Sequence, residues 1–325
     1  MIKCEKGGTM KRRFILCAIT IVWEISSTGA LWAQQSNHPG VKSQHQDLAG
    51  VSEYWTEDRM RSAEPTPFPN PPPVAQKSPK KLGRPPFVVL EPSKGMAEIQ
   101  PKRARNAQPV ADPSVTIASP NGKLFYVNGG KNWVCSAAAV HQELIVTAAH
   151  CGYNRNTKAY STNVLFVQQY SPTSAGRRFV VSEIIVPGDW IESGYGYTDQ
   201  ALMRVQGRFA EHYGLVLRPN PSWVFPGGQF GYPAERPFPG NRMYFVFPVE
   251  PGRPDPNDLL TASIYSDMTK GSSGGPWVGN NPQGRLGYVF GLNSYKKRGD
   301  GARMYSPYFD FLMDALIKCA LTKQC

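Results

Sequence analysis

The sequence predicts an all-β body closed by one C-terminal helix and preceded by two segments of different character. Three observations carry that expectation. From Val115 onward, short runs of β-branched and aromatic residues alternate with turn signals, and a turn about every 8–12 residues is the pattern of a sandwich or barrel. Before that point the chain is rich in proline: fifteen of its 30 prolines lie between Pro39 and Pro120. The first 33 residues hold a basic cluster and a single short apolar run. A chain of 325 residues with 41% hydrophobic and 18% charged residues has enough apolar material for at least one sizeable core. The uneven proline excludes one uniform fold, because proline removes a donor and fixes φ.

The N-terminal element reads as an address. Met10-Lys11-Arg12-Arg13 is followed by the apolar run Phe14 to Trp23, which Glu24 ends. That run is too short to span ~30 Å of hydrocarbon as a helix. With small residues at Ala30 and Ala33 it makes a secretory signal peptide over 1–33, cleaved after one of those alanines. A secreted protein, extracellular or periplasmic, without a stable membrane span is expected. Export also sets the redox state. Cys4 and Cys17 leave with the signal, and Cys135, Cys151, Cys319 and Cys325 remain. An even count in an exported protein suggests two disulfides. Proximity favours Cys135–Cys151 and Cys319–Cys325, although four cysteines allow three pairings.

Residues 34–115 come next. They contain the run Pro65-Thr66-Pro67-Phe68-Pro69-Asn70-Pro71-Pro72-Pro73 and little apolar periodicity, so polyproline II and disorder are expected. Basic clusters stand at Lys80-Lys81, Arg84 and Lys102-Arg103-Ala104-Arg105. The segment is either a pro-segment clipped near Arg105 or a linker that stays attached. The net charge of +12 is spread over all three segments rather than gathered into a stripe. Nucleic acid is therefore not the expected partner.

The body, 116–325, opens with Lys123–Val127, the turn Asn128-Gly129-Gly130 and Trp133–Val140, a hairpin signature. Further strands are expected over Glu143–Thr147, Val164–Gln168, Phe179–Val186, Gln200–Val205, Met243–Val249, Thr261–Tyr265 and Gly287–Leu292. The helix is expected to start at Ser306-Pro307, with Tyr308, Phe311, Leu312, Ala315 and Leu316 on one face.

Three short segments carry chemistry: Val146-Thr147-Ala148-Ala149-His150-Cys151, Thr198-Asp199-Gln200-Ala201-Leu202 and Gly271-Ser272-Ser273-Gly274-Gly275-Pro276-Trp277. Serine is a poor nucleophile at neutral pH and needs a base. Histidine has the right proton affinity, and a buried carboxylate fixes its tautomer. Glycines beside the serine let backbone N–H groups converge on one point as an oxyanion hole, with Gly271 and Ser273 as the donors. No His/Cys/Asp cluster with metal-ligand spacing is seen, and neither metal nor cofactor is expected.

Thr-Ala-Ala-His-Cys, a later Asp-x-Ala-Leu and Gly-x-Ser-Gly-Gly-Pro, in that order, resemble the chymotrypsin-fold, trypsin-like serine endopeptidases. The resemblance covers about residues 116–318. It implies two antiparallel six-stranded β-barrels: barrel one over about 116–206, a crossover over about 207–228, and barrel two with the helix over about 229–325. It implies His150 as general base, Asp199 as its orienter and Ser273 as nucleophile, with Ser294 behind Asp199. It also implies that Cys135, 16 residues before Cys151, forms the disulfide that braces the histidine. Gly231-Tyr232-Pro233 and Asp267-Met268-Thr269-Lys270-Gly271-Ser272-Ser273 are similar to the bacterial glutamyl-endopeptidase-like branch, the staphylococcal type.

Ser272 stands where the animal enzymes carry the aspartate that pairs with a newly cut N-terminus, so activation by that ion pair is not expected. Asp267, Met268, Lys270, Asn293, Ser294 and Tyr295 are the expected substrate contacts. Glutamate-cutting members carry histidine at Asn293 and a small hydroxyl residue at Met268. With Asp267 pointing into the pocket, a basic or mixed preference is expected over strict glutamate cutting. The implied activity is a secreted, monomeric serine endopeptidase acting on proteins or peptides through an acyl-enzyme. The alternative is a weak or inactive protease scaffold that serves in binding or adhesion, and such scaffolds usually lack a triad member.

Overall fold

The computed structural model describes residues 40–70, 87–93, 104–115, 117–174, 176–217, 227–249, 253–255 and 258–325. The expected signal peptide, the basic clusters at 80–84 and 102–103, and residues 218–226 of the expected crossover lie outside the described residues. The body is mostly β. β5 (Asn121–Asn128) and β6 (Lys131–His141) form the expected hairpin, with Asn128 opposite Lys131. Gly129 and Gly130 both have positive φ, at 58° and 73°, as a two-residue turn matched to strand twist requires.

β7 (Leu144–Thr147), β10 (Thr162–Gln168), β11 (Arg177–Pro187) and β12 (Ala201–Val205) complete the ring β11-β10-β5-β6-β7-β12, and β12 pairs back onto β11 to close six strands. The short ladder β8 (Tyr153–Asn154) with β9 (Ala159–Tyr160) sits between them in sequence. Alternation along β5 and β6 sends Leu124, Tyr126, Cys135 and Ala137 into the main core. Phe125 and Val134 go to a separate cluster with Leu165 and Val167.

The second half is built from two sheets. β13 (Gly214–Leu217), β14 (Gly227–Gly231), β15 (Tyr244–Val249), β18 (Pro276–Asn280) and β19 (Leu286–Leu292) run in the order β13-β19-β18-β14-β15. β16 (Arg253–Asp255), β17 (Asp258–Tyr265), β21 (Asp300–Pro307) and β20 (Tyr295–Lys297) form the other. Trp277, Met268, Ile264, Tyr288 and Met304 share the core of this half.

The C-terminal helix α4 spans Phe311–Thr322, not from Ser306-Pro307. Those two residues end β21, where Ser306 pairs with Ala262 and its Oγ accepts from the Leu292 amide. The helix is started instead by Asp310, whose carboxylate accepts from the Leu312 amide. Leu312 and Leu316 are buried as expected, and the helix packs against β11 and β12. Both disulfides have the proximity pairing, Cys135–Cys151 and Cys319–Cys325.

The proline-rich segment departs most from expectation. Its described parts are ordered and lie on the body. β1 (Val41–His45) pairs antiparallel with the β11 edge. Two short helices, α1 (Val51–Tyr54) and α2 (Glu57–Ser62), bury Val51, Trp55 and Met60 against Phe125, Val134, Leu165 and Val167. Trp55 is wholly buried, and its Nε1 donates to the Asn163 carbonyl at 2.5 Å. β2 (Glu64–Pro65) lies parallel on β6, β3 (Phe87–Leu90) antiparallel on β13, and β4 (Ala104–Pro109) antiparallel on β15. Each of the four strands among these pieces pairs with one neighbour only. An edge strand needs donors on one side only, so proline between or at the ends of such strands is tolerated. Composition registered the prolines and passed over the apolar anchors set between them.

Candidate active site

β7 and β12 are neighbours, with Thr147 opposite Ala201. The turn leaving β7 and the turn entering β12 therefore meet at one end of the barrel. His150 lies on α3 (Ala149–Gly152), one turn after β7, and Asp199 comes after the turn Gly196–Thr198 just before β12. Ala148 and Ala149 are wholly buried, and larger side chains would force this turn off the barrel.

Asp199 is wholly buried and takes three donors. Its Oδ1 accepts from the His150 amide at 2.8 Å, and its Oδ2 pairs with His150 Nδ1 at 2.9 Å and accepts from Ser294 Oγ at 2.5 Å. A buried carboxylate needs such donors to stay in place. Fixing Nδ1 as the donor leaves Nε2 as the basic nitrogen of the neutral ring. The disulfide from Cys151 to β6 ties this turn down, and closing so short a loop contributes ~3 kcal/mol in the chain-entropy picture.

Ser273 arrives from the second half, on the loop between β17 and β18. Its carbonyl accepts from the Ser136 amide of β6 at 2.7 Å. Ser136 Oγ donates to the Gly271 carbonyl at 2.9 Å and accepts from the Tyr232 amide at 2.8 Å, so one serine laces the loop to the first barrel. Gly274 has φ +80°, and a Cβ there would lie 2.1 Å from Thr147 Oγ1 and 2.9 Å from the Ala148 amide nitrogen. Only glycine lets the loop approach the His150 turn this closely. Ser273 Oγ and His150 Nε2, the atoms a proton transfer would join, are both buried, and neither has a hydrogen-bond partner.

The two expected oxyanion donors are oriented by their neighbours. In a trans peptide the carbonyl and the following N–H point in opposite directions. The Lys270 carbonyl accepts from the Ala234 amide at 2.8 Å, which turns the Gly271 N–H away from Ala234. The Ser272 carbonyl accepts from Asn293 Nδ2 at 3.0 Å, which turns the Ser273 N–H away from Asn293. Neither N–H has an acceptor among the described residues. Thr269 and Glu235 exchange two further bonds, and Lys270 Nζ meets Glu235 Oε1 at 2.7 Å. This lacing stands where an N-terminal ion pair is not expected.

Most of the expected substrate contacts have other engagements. Asn293 is wholly buried with its amide saturated. Nδ2 donates to the Phe230 and Ser272 carbonyls, and Oδ1 accepts from Gln229 Nε2 and from Trp277 Nε1. Met268 is wholly buried in the core of the second half. Both are framework rather than pocket lining. Ser294 is committed to Asp199, Tyr295 stacks on Tyr305 with ring centroids 5.1 Å apart, and Lys270 is paired with Glu235.

Asp267 does not point into a pocket as a free carboxylate. Its Oδ1 accepts from the Ala107 amide of β4 at 2.8 Å, so a basic preference loses its support. Lys296 belongs to the basic run Lys296-Lys297-Arg298, which with Lys270 is expected from the sequence to flank the mouth of the site and favour acidic groups. Its Nζ donates to the Ser266 and Gly301 carbonyls. Burial lowers its pKa, and Asp267 and Asp300 oppose that shift.

Among the described residues, Cys135, His150 and Cys151 bring three potential metal-ligand atoms within 4.8 Å of one another. The two sulfurs are bonded to each other and offer no thiolate, so this cluster does not fit a metal. Among the described residues no helix is long and apolar enough to cross a membrane.

Comparison with known proteins agrees with this arrangement. The family model described as Trypsin matches residues 112–223. The structure is similar to the protease Anisep from Arthrobacter nicotinovorans, with TM-score 0.56, 27% identity, and coverage of 66% of this chain and 99% of that one. It is also similar to a thermostable serine protease, AL20, from an extremophilic microorganism, with TM-score 0.56, 26% identity, and coverage of 64% and 100%. A Glu endopeptidase shares the fold, with TM-score 0.54 at 18% identity over 66% of this chain and 96% of that one. No relative was found among curated protein sequences.

Proposed function

We propose that this trypsin-like protease of the chymotrypsin fold is a secreted serine endopeptidase that cleaves protein or peptide chains through an ester on Ser273, on the branch of the bacterial glutamyl-endopeptidase-like enzymes. The observation that carries the reading is the fully buried Asp199, which grips both the amide and Nδ1 of His150. A carboxylate in that position has little structural use and a clear chemical one. It leaves Nε2 to take the Ser273 proton as Oγ attacks the carbonyl carbon, and it stabilises the imidazolium that results. The Gly271 and Ser273 amides receive the oxyanion. The imidazolium then gives its proton to the departing amine, and water, activated by the same nitrogen, hydrolyses the ester.

Residues 1–33 serve as the export signal in this reading, and the protein acts as a monomer with no nucleic-acid partner. A binding protein on a disabled scaffold is disfavoured because all three residues are present and His150 and Asp199 are joined. The test is labelling with a fluorophosphonate. The wild type is expected to take up one equivalent on Ser273, and Ser273→Ala none. Modification of Ser272 instead would overturn the assignment.

A further inference from the structure

Along a strand, residues two apart present their N–H and C=O groups to the same edge. On β6, Ser136 uses that edge to hold Ser273: its amide donates to the Ser273 carbonyl at 2.7 Å. Val134, about 7 Å back along the same edge, is already occupied. Its carbonyl accepts from the Thr66 amide at 3.1 Å and from Thr66 Oγ1 at 2.8 Å. Thr66 is buried, and its hydroxyl also meets Tyr126 Oη at 2.5 Å and Cys135 Sγ at 3.4 Å. Cys135 is half of the disulfide whose two sulfurs lie within 4.8 Å of a ring nitrogen of His150.

The strand runs parallel to β6, Glu64 against Trp133 and Pro65 against Val134. It is therefore headed toward Ser136 and the nucleophile loop. Two residues on, Phe68 packs against the core of the second half. Upstream, Trp55 and Met60 anchor the same segment to the first barrel. The segment thus crosses from one half to the other beside the nucleophile. Ser273 is wholly buried in this state, its Oγ included, and His150 is only 8% exposed.

We propose that Glu64–Phe68 fill the leaving-group side of the substrate cleft, so that the intact chain accepts acyl donors with small leaving groups and excludes polypeptides until this strand lifts away. The side is set by the chemistry. His150 must protonate the departing amine, so the leaving group lies on the first-barrel side, by the Cys135–Cys151 disulfide and the β6 edge. An extended polypeptide would add to that edge as a strand, and Thr66 holds it already. The two protease neighbours are covered over 99% and 100% of their length by about two thirds of this chain. About a third of this chain lies outside those matches, so it carries residues that the two neighbours lack.

The proposal rests on the serine-endopeptidase reading, and its test separates the two. Full-length chain, shown intact by mass spectrometry, is compared with Thr66→Asp, which sets an unpaired charge against Val134 and Cys135, and with Phe68→Ala, which removes the second anchor. Each is assayed on an activated ester with a small leaving group and on an internally quenched peptide extending three residues past the cut. Active sites are counted by fluorophosphonate. Both variants are expected to raise kcat/KM on the peptide at least tenfold per active site and to change the ester rate less than threefold. Equal effects on the two substrates, or none in either variant, would overturn the proposal while leaving the protease intact. Absence of fluorophosphonate uptake in all three proteins overturns the underlying reading and the proposal with it. Phe68→Ala adds no charge, so the outcome does not depend on Thr66→Asp folding.

Discussion

Replacing Asn293 by leucine perturbs the framework beneath the nucleophile at nearly constant volume. Its amide makes four hydrogen bonds in a site from which water is excluded, at 3.0 Å to the Phe230 and Ser272 carbonyls, and from Gln229 Nε2 and Trp277 Nε1. Leucine leaves Gln229 Nε2 and Trp277 Nε1 without an acceptor and takes the amide donor from the Phe230 and Ser272 carbonyls, the latter keeping the Gly275 amide at 2.9 Å. Each orphaned buried group costs about 1–3 kcal/mol, so the two orphaned donors alone cost about 2–6 kcal/mol, a large share of a typical domain's 5–15 kcal/mol. Catalysis suffers separately. With only the Gly275 amide left on the Ser272 carbonyl, the peptide that aims the Ser273 N–H is held less firmly, and the loss approaches the roughly 10²–10³ in kcat that one oxyanion donor is worth.

Urea unfolding gives the first quantity. For the second, kcat/KM is measured beside the affinity of a peptidyl trifluoromethyl ketone, whose adduct carries the oxyanion. The ketone is expected to weaken in step with kcat/KM, while binding of a cleaved product peptide changes little. A folded variant within threefold of wild type on kcat/KM, or one destabilised by less than about 1 kcal/mol, would refute the reasoning.

Three further outcomes are expected. Ser273→Ala and His150→Ala should each lower kcat by about 10⁴-fold or more, and the double variant should fall little further, because the pair acts as a unit; steady-state kinetics on one peptide checks this. Burial raises the Asp310 pKa from 3.8 to about 7, so the folded state binds the proton more tightly than the unfolded state. Stability therefore falls as pH rises from about 4 to 7, and Asp310→Asn, which keeps a capping side chain, should flatten thermal melts across that window and melt higher above it. Burial lowers the Lys123 pKa from 10.5 to about 7, and its ammonium has the Gly240 carbonyl at 2.8 Å with the Phe125 and Tyr170 rings nearby. The sign is reversed here: stability rises with pH between about 7 and 10.5, and Lys123→Met should remove that slope and raise the melting temperature below pH 7.

The candidate catalytic residues were legible because each lies in a short run whose neighbours are constrained with it. Ala148 and Ala149 must be small, Gly274 must have no side chain, and Cys151 must reach Cys135, so the motif records the geometry. The pocket was not legible. Asp267, Met268 and Asn293 take their roles from partners far away in sequence, Ala107, the second core, and the carbonyl of Ser272. Nothing local distinguishes a saturated buried asparagine from one that lines a pocket.

Several second-half strands were missed for a different reason. β14 reads Gly-Gly-Gln-Phe-Gly, which lacks β-branched residues. A Cβ at Gly227 would lie 2.1 Å from the Val278 carbonyl, so the strands there approach backbone to backbone and the usual apolar alternation is absent. The proline-rich segment hid its order in the same way, since pieces of two to six residues on sheet edges leave no period to read.

The most direct test of the central claim is a rapid-mixing experiment on an ester that acylates quickly and deacylates slowly. The account predicts a burst of leaving group equal to one per enzyme, and a mass increase of one acyl group on the tryptic peptide bearing Ser273. That increase should vanish in Ser273→Ala and fail to form in His150→Ala. Turnover with no burst and no adduct, or an adduct on Ser272, would contradict it.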